Sequence, residues 1–206
     1  MSDLINGVDR IRLWLQNNSP EIAESLQPGL DIKEIKQKTQ WFPFKLSNEI
    51  FDLFQCISVN KASNIFGDGN YLLSPENSLR IYQDEGEVEY GEGLGKYFIS
   101  ANIPAFPLFV SPDCQSYSWA VCDDSEDLPI ILLGWEDPEL IICYTSLTNM
   151  ILTLAEAYES NLFTLKTYND GSKHIDCVDD KLFRKIQTKY DPEHKIRTKY
   201  KKQLLI

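Results

Sequence analysis

The residue types that most often carry chemistry are few in this chain and badly spaced for it. Only two histidines occur among 206 residues, His174 and His194. His174-Ile175-Asp176-Cys177 is the one close His/Cys pair, and a structural zinc site needs a second pair facing the first. Cys114 and Cys122 are separated by seven residues and Cys143 lies 21 residues further on, so no such pair exists. The cysteines read instead as small, buried apolar side chains, and no metal is predicted. A Cys–His hydrolase needs its thiol beside an oriented base, yet His194 sits in a basic C-terminal stretch and nothing orients His174. Gly91, Gly93 and Gly95 before Lys96 have the look of a phosphate loop, but Tyr90 stands where its first glycine belongs and Tyr97 where Ser or Thr should follow. The dinucleotide fingerprint fails as well, because Lys96 takes the place of its third glycine. No cofactor is expected. Carboxylates are abundant enough for a glycosidase-type pair, and that abundance singles out no pair.

What is unusual is where the carboxylates lie. From Tyr97 to Leu165 the chain runs 69 residues without a lysine or arginine, while carrying Asp113, Asp123, Asp124, Glu126, Asp127, Glu136, Asp137, Glu139, Glu156 and Glu159. Surfaces ordinarily mix both signs. A stretch of one sign projects a negative field that disfavours nucleic acid and steers a basic partner, most plausibly a protein. Trp119, Trp135 and Tyr117 are the candidate aromatic anchors for such a partner, if exposed.

The same stretch holds the most apolar segments of the chain, so it belongs to a folded core. Hydrophobic content of 43% and charged content of 25% are those of an ordinary globular protein. Five scattered cysteines and an N-terminus without a basic start and apolar run predict reduced thiols and a cytoplasmic location. No window reaches 18 apolar residues, so no membrane span is expected. Residues 181–206 carry a charge of +7 and residues 1–180 a charge of −18, giving the net −11. A basic tail can bind nucleic acid, which would make the affinity salt-sensitive. The simpler reading is a solvated terminal helix and tail near an acidic body.

The elements that must position these residues follow from periodicity. Leu4, Val8, Ile11 and Leu15, widened by Trp14, predict an amphipathic helix capped by Ser2 or Asp3 and ending at Asn17-Asn18-Ser19-Pro20. Asp31 opens a short helix to about Lys38, and Ser47 or Asn48 caps a third with Ile50, Leu53, Phe54 and Ile57 as its buried stripe. After the Gly67-Asp68-Gly69-Asn70 turn, Tyr71–Ser74 reads as a short strand and Pro75 restarts a helix through Leu79 and Tyr82. Residues 84–96 read as a glycine- and glutamate-rich loop. Phe106–Val110, Tyr117–Cys122, Pro129–Leu133 and Leu140–Tyr144 are strands joined by links too short for parallel crossovers, hence an antiparallel meander. The last two are continuous apolar runs, as in central strands covered on both faces. Ser146 caps a long helix through Leu162, a hairpin of 162–168 with 172–178 turns at Asn169-Asp170-Gly171, and a last helix with Leu182, Phe183 and Ile186 on one side ends before Asp191-Pro192.

This order of elements, with Trp41-Phe42-Pro43-Phe44 leading into a helix, Leu72-Leu73-Ser74-Pro75 opening another, the sheet-entry strand Phe106-Pro107-Leu108-Phe109 and a core helix from Ser146-Leu147-Thr148-Asn149-Met150 to Ala155-Glu156-Ala157-Tyr158, resembles the SUKH superfamily. That group joins yeast cell-wall regulators of the Smi/Knr type with bacterial toxin-immunity proteins. The similarity spans roughly residues 30–165. Cys56-Ile57-Ser58-Val59-Asn60-Lys61 departs from it, lacking the family's Asn-Gly pair. The resemblance implies an α+β domain, with a central antiparallel sheet packed against N- and C-terminal helices. It also implies a non-enzymatic role in binding another protein, in bacteria often a toxin and frequently a nuclease.

The expectation is therefore one domain over residues 1–190, its core at about 30–165 and a hairpin and helix at 162–190, followed by a basic tail at 191–206. Antiparallel strands send successive links to opposite ends of a sheet. Asp113 with Glu136, Asp137 and Glu139 should share one end, and Asp123, Asp124, Glu126 and Asp127 the other. These eight acids are the candidate partner-binding residues, with the 123–127 group foremost. An intracellular regulatory scaffold is the alternative use of such a domain, and a carboxylate-based hydrolase the lesser one.

Overall fold

The computed structural model describes residues 2–58, 65–67, 70–83, 95, 98–99, 102–111, 116–122, 128–134, 140–167, 173–193 and 198–199. In chain order the elements among them are α1 (Asp3–Asn18), α2 (Pro20–Ser25), β1 (Gln27–Pro28), α3 (Ile32–Thr39), α4 (Asn48–Cys56), β2 (Ile57–Ser58), β3 (Tyr71–Leu72) and α5 (Pro75–Gln83). The strands β4 (Ala105–Val110), β5 (Ser116–Val121), β6 (Ile130–Gly134) and β7 (Ile141–Tyr144) follow. Then come α6 (Leu147–Glu159), β8 (Phe163–Thr167), β9 (Lys173–Cys177), α7 (Asp180–Tyr190) and β10 (Thr198–Lys199). The fold is α+β, as the periodicities require.

Short polar side chains start the helices by satisfying amide donors that have no intrahelical acceptor. Ser2, Asp31, Ser47, Ser146 and Asp179 accept from Ile5, Glu34, Ile50, Asn149 and both Lys181 and Leu182 respectively. The meander forms as expected: β4 to β7 are antiparallel neighbours in the sheet order β10-β7-β6-β5-β4-β3. The predicted hairpin is present too, Phe163 pairing with Cys177 and Thr167 with Lys173. Bulges between Pro107 and Phe109 and between Ile130 and Ile131 re-aim the side chains locally.

One sheet face carries Phe106, Phe109, Ser118, Ala120 and Leu132 and looks toward the helices. Phe106 meets Phe54 of α4 at 6.0 Å and Phe42 at 4.8 Å between ring centroids. The other face carries Pro107, Trp119 and Ile131, and there Phe98 lies on Trp119 at 4.2 Å. The alternation in β5 thus sorts large from small residues, not buried from exposed ones: Ser118, Ala120 and Cys122 are buried along with Tyr117, Trp119 and Val121. Behind the sheet α1 crosses α6 closely. A Cβ on Gly7 would come within 2.7 Å of Ile151 Cγ2, so glycine is what permits the approach.

Several expectations change. The short helix α2 and the two-residue ladder β1–β2 carry no periodic signal because each is too brief to repeat. Ile57, read as part of the α4 stripe, is buried but extended, pairing with Pro28. Gly29 explains why this ladder closes: a Cβ there would lie 1.8 Å from the Gln55 carbonyl oxygen. β7 is not covered on both faces, since Ile141, Ile142 and Cys143 are all half-buried. Thr198 and Lys199, assigned to the basic tail, pair as β10 with Ile142 and Ile141. Leu182 points outward, 39% exposed, while Ile186 is buried. Of residues 84–96 only Gly95 is described, and it is helical, set on the Ile81 and Tyr82 carbonyls where a Cβ would lie 2.1 Å from oxygen.

Candidate functional site

The eight acids singled out for partner binding, Asp113, Asp123, Asp124, Glu126, Asp127, Glu136, Asp137 and Glu139, lie outside the described residues, as does Trp135. The strand ends from which their links depart are described. Val110, Ser116, Gly134 and Ile141 bound one end of the meander, and Val121, Ile130 and Tyr144 the other. The links bearing Asp113 and Glu136, Asp137 and Glu139 leave from the first end, and the link bearing Asp123 to Asp127 from the second.

Two expectations are corrected. Trp119 and Tyr117 cannot anchor a partner: they are 0% and 2% exposed, and Phe98 lies on the Trp119 ring. The indole N–H of Trp119 has no hydrogen-bond acceptor among the described residues. Nor do all ten acids of the cation-free stretch contribute to an unpaired negative field. Glu159 accepts two hydrogen bonds from Arg10 of α1, at 2.8 and 2.5 Å, and Glu156 binds Lys189 and the Tyr190 hydroxyl of α7. The hydrogen bond from Arg10 holds the Glu159 carboxyl below the usual carboxylate range, and Lys189 followed by Tyr190 does the same for Glu156. For these two acids the cations are supplied from distant parts of the chain, which a count along a linear window does not see.

The second sheet end carries a further pair of engaged carboxylates. Glu49 of α4 accepts from the Leu147 and Thr148 amides, at 3.2 and 2.9 Å, across the open N-terminus of α6. Asp191, 1% exposed, accepts from the Thr145 amide at 2.9 Å and from its hydroxyl at 2.5 Å. Asn149 donates to the same hydroxyl at 3.0 Å. A helix N-terminus attracts negative charge through its free amides and dipole. Here that demand is met inside the molecule, so these groups fasten α4 and the end of α7 to the start of α6.

Beside this junction lies a cleft of about 700 Å³. Its floor is the half-covered part of the sheet, Leu132, Ile141 and Ile142, and its walls are Met150 and Leu154 of α6, Phe163 of β8 and Phe183 of α7. Cys143 and Cys177 line it as well and are half-buried, unlike Cys122, so the expectation of uniformly buried cysteines holds for only one of the four described. Arg184, Asp180 and Gln187 supply polar groups, Gln187 donating to the Cys143 carbonyl at 3.1 Å. Of the strand ends bounding the acidic links, Ile130 and Ile141 line the cleft. The half-burial of β7 was the missed signal; an apolar run reads alike whether one face or both are covered. Such a cleft can take up an apolar side chain.

Among the described residues no three His, Cys, Asp or Glu side chains gather in a way that would hold a metal ion, and no helix is long and apolar enough to cross a membrane. No family model matches the chain, and no curated protein matches it in sequence.

Proposed function

We propose that this chain is a non-enzymatic module that binds a basic protein. The observation that carries the proposal is that the apolar cleft is lined by Ile130 and Ile141, the strand starts that follow the links bearing Asp123, Asp124, Glu126 and Asp127 and Glu136, Asp137 and Glu139, with Asp113 in a link at the same sheet end as the latter. Acidic links steer a cationic surface toward the sheet, and the cleft receives an apolar side chain from it. Field and concavity then divide the work of association rate and residence time. The order of helix, Pro-containing entry strand, meander and core helix supports a SUKH-type immunity role in a cytoplasm. In that role the partner is a toxin, such as a nuclease, whose cationic substrate groove is blocked by occlusion.

The test is affinity capture with the full chain and with an Asp123→Asn, Asp124→Asn, Glu126→Gln, Asp127→Asn variant, followed by mass spectrometry. The expected outcome is a basic protein whose association rate falls roughly ten-fold or more in the variant at low salt. An acidic partner, or capture indifferent to the four substitutions, refutes the reading. For the immunity role, co-expression with the genes flanking its own should relieve toxicity and give a complex on a sizing column. Toxicity that persists without a complex removes it.

A further inference from the structure

A second concavity, of about 550 Å³, lies between α3 and α4. Ile32, Lys36 and Gln40 form the α3 side, Phe51 the α4 side, and Phe44 the floor. The floor is fixed by ring contacts, Phe44 against Phe42 at 5.6 Å and edge-on to Tyr82 at 5.5 Å, with Phe42 seated in turn on Phe106. Ile32 is 47% exposed, and Trp41, which stands in the chain between the lining residues Gln40 and Phe42, is 68% exposed. A lone exposed apolar residue needs no explanation. Here an Ile and two half-buried Phe residues line one preformed depression and an exposed Trp adjoins it in the chain, the composition of an interface anchor.

The charge of this region runs against that of the chain. Residues 31–45 hold four lysines against Asp31 and Glu34, in a protein of net charge −11. Both acids are engaged, Asp31 as the α3 cap and Glu34 with Lys38. Lys38 is also held by Glu76. Lys36 and Lys45, which line the groove, are exposed and in no ion pair among the described residues. Asp52 on the α4 wall accepts from the Ser2 hydroxyl at 2.6 Å and keeps its charge, so the lining sets two lysines against one carboxylate. The groove therefore offers a net excess of positive charge beside an aromatic floor.

We infer that the α3–α4 groove is a docking site for a short acidic peptide segment of another protein carrying one bulky apolar residue. The apolar side chain packs between Phe44 and Phe51 against Trp41, and flanking carboxylates reach Lys36 and Lys45. Helices of eight and nine residues are about 12–13 Å long, so about four extended residues suffice to cross the groove. This surface is opposite in sign to the one proposed for the basic partner and does not depend on that reading.

The test is panning of a displayed library of random 12-residue peptides against the full chain, with synthetic copies of the enriched peptides then measured by fluorescence anisotropy. The expected result is a consensus of Asp or Glu around an aromatic or aliphatic residue. Binding should fall roughly ten-fold or more in Lys36→Glu/Lys45→Glu and in Trp41→Ala, whose thermal melts should match the parent. Failure to enrich, enrichment of neutral or basic peptides, or affinity unchanged in both variants overturns the assignment. Sedimentation supplies the remaining arm: dimerisation of the parent chain, abolished by Lys36→Glu/Lys45→Glu in the absence of any peptide, would make a second copy the occupant and equally overturn it.

Discussion

Replacing Gly7 by alanine sets two opposing effects against each other, and the structure says which wins. In a helix interior alanine is favoured over glycine by about 0.5–1 kcal/mol, so propensity alone predicts a more stable protein. But Gly7 is buried where α1 crosses α6, and the new Cβ would lie 2.7 Å from Ile151 Cγ2, about 1 Å inside the ordinary carbon–carbon separation. Ile151 is 0% exposed and its Cγ2 branches next to the backbone, so it cannot swing clear as the tip of a long side chain would. Overpacking of this kind costs about 1–3 kcal/mol, which leaves a net loss of up to about 2.5 kcal/mol. For a chain of this length that lowers the melting temperature by up to about 10 °C. Chemical denaturation should report the same loss as a lower midpoint at unchanged m-value. The cause can be isolated by the partner residue. Ile151→Leu removes the β-branch and should recover much of the loss in the double variant, whereas Ile151→Val keeps both γ-carbons and should not. A Gly7→Ala protein that melts above the parent, or equal rescue by leucine and valine, would refute the overpacking account.

Two further predictions rest on the carboxylates. Glu49→Gln removes the charge that spans the α6 N-terminus and should cost about 1 kcal/mol in a urea melt; no change would mean that Ser146 suffices as cap. Because Glu156 and Glu159 are held below the usual carboxylate range, the stability they contribute is present above the unfolded glutamate pKa of about 4.3 and is lost as pH falls through their lower folded values. An Arg10→Gln variant should therefore lose less stability than the parent between about pH 5.5 and pH 3, and parallel melting curves across that range would show the pair to be idle.

Much of the fold was readable because it is built from long, strongly patterned elements. Sixteen residues of α1 and thirteen of α6 display several turns of one apolar stripe, and the meander follows from short links that leave antiparallel pairing as the sole option. The elements that were missed are the ones without room to repeat: α2, the β1–β2 pair, and β10. The site was less legible. Trp119 looked like an anchor because aromatic residues suit interfaces and cores equally, and only the packing of Phe98 onto it tells which. The cleft depends on β7 being half covered, a property of what lies above the strand and not of the strand.

What the sequence determined by itself is therefore the local grammar: which segments are helices, where serine and aspartate start them, which strands pair, and that 69 consecutive residues bring no cation of their own. What only the tertiary structure decided is which charges and surfaces are already spent. Arg10 and Lys189 reach Glu159 and Glu156 from helices more than thirty positions away in either direction, and Glu49 closes a helix end nearly a hundred residues downstream. Lys36 and Lys45 are left without such partners among the described residues. Charge acts through space, so its balance is set by neighbours that the fold assembles, and the linear order of residues holds no record of that distance.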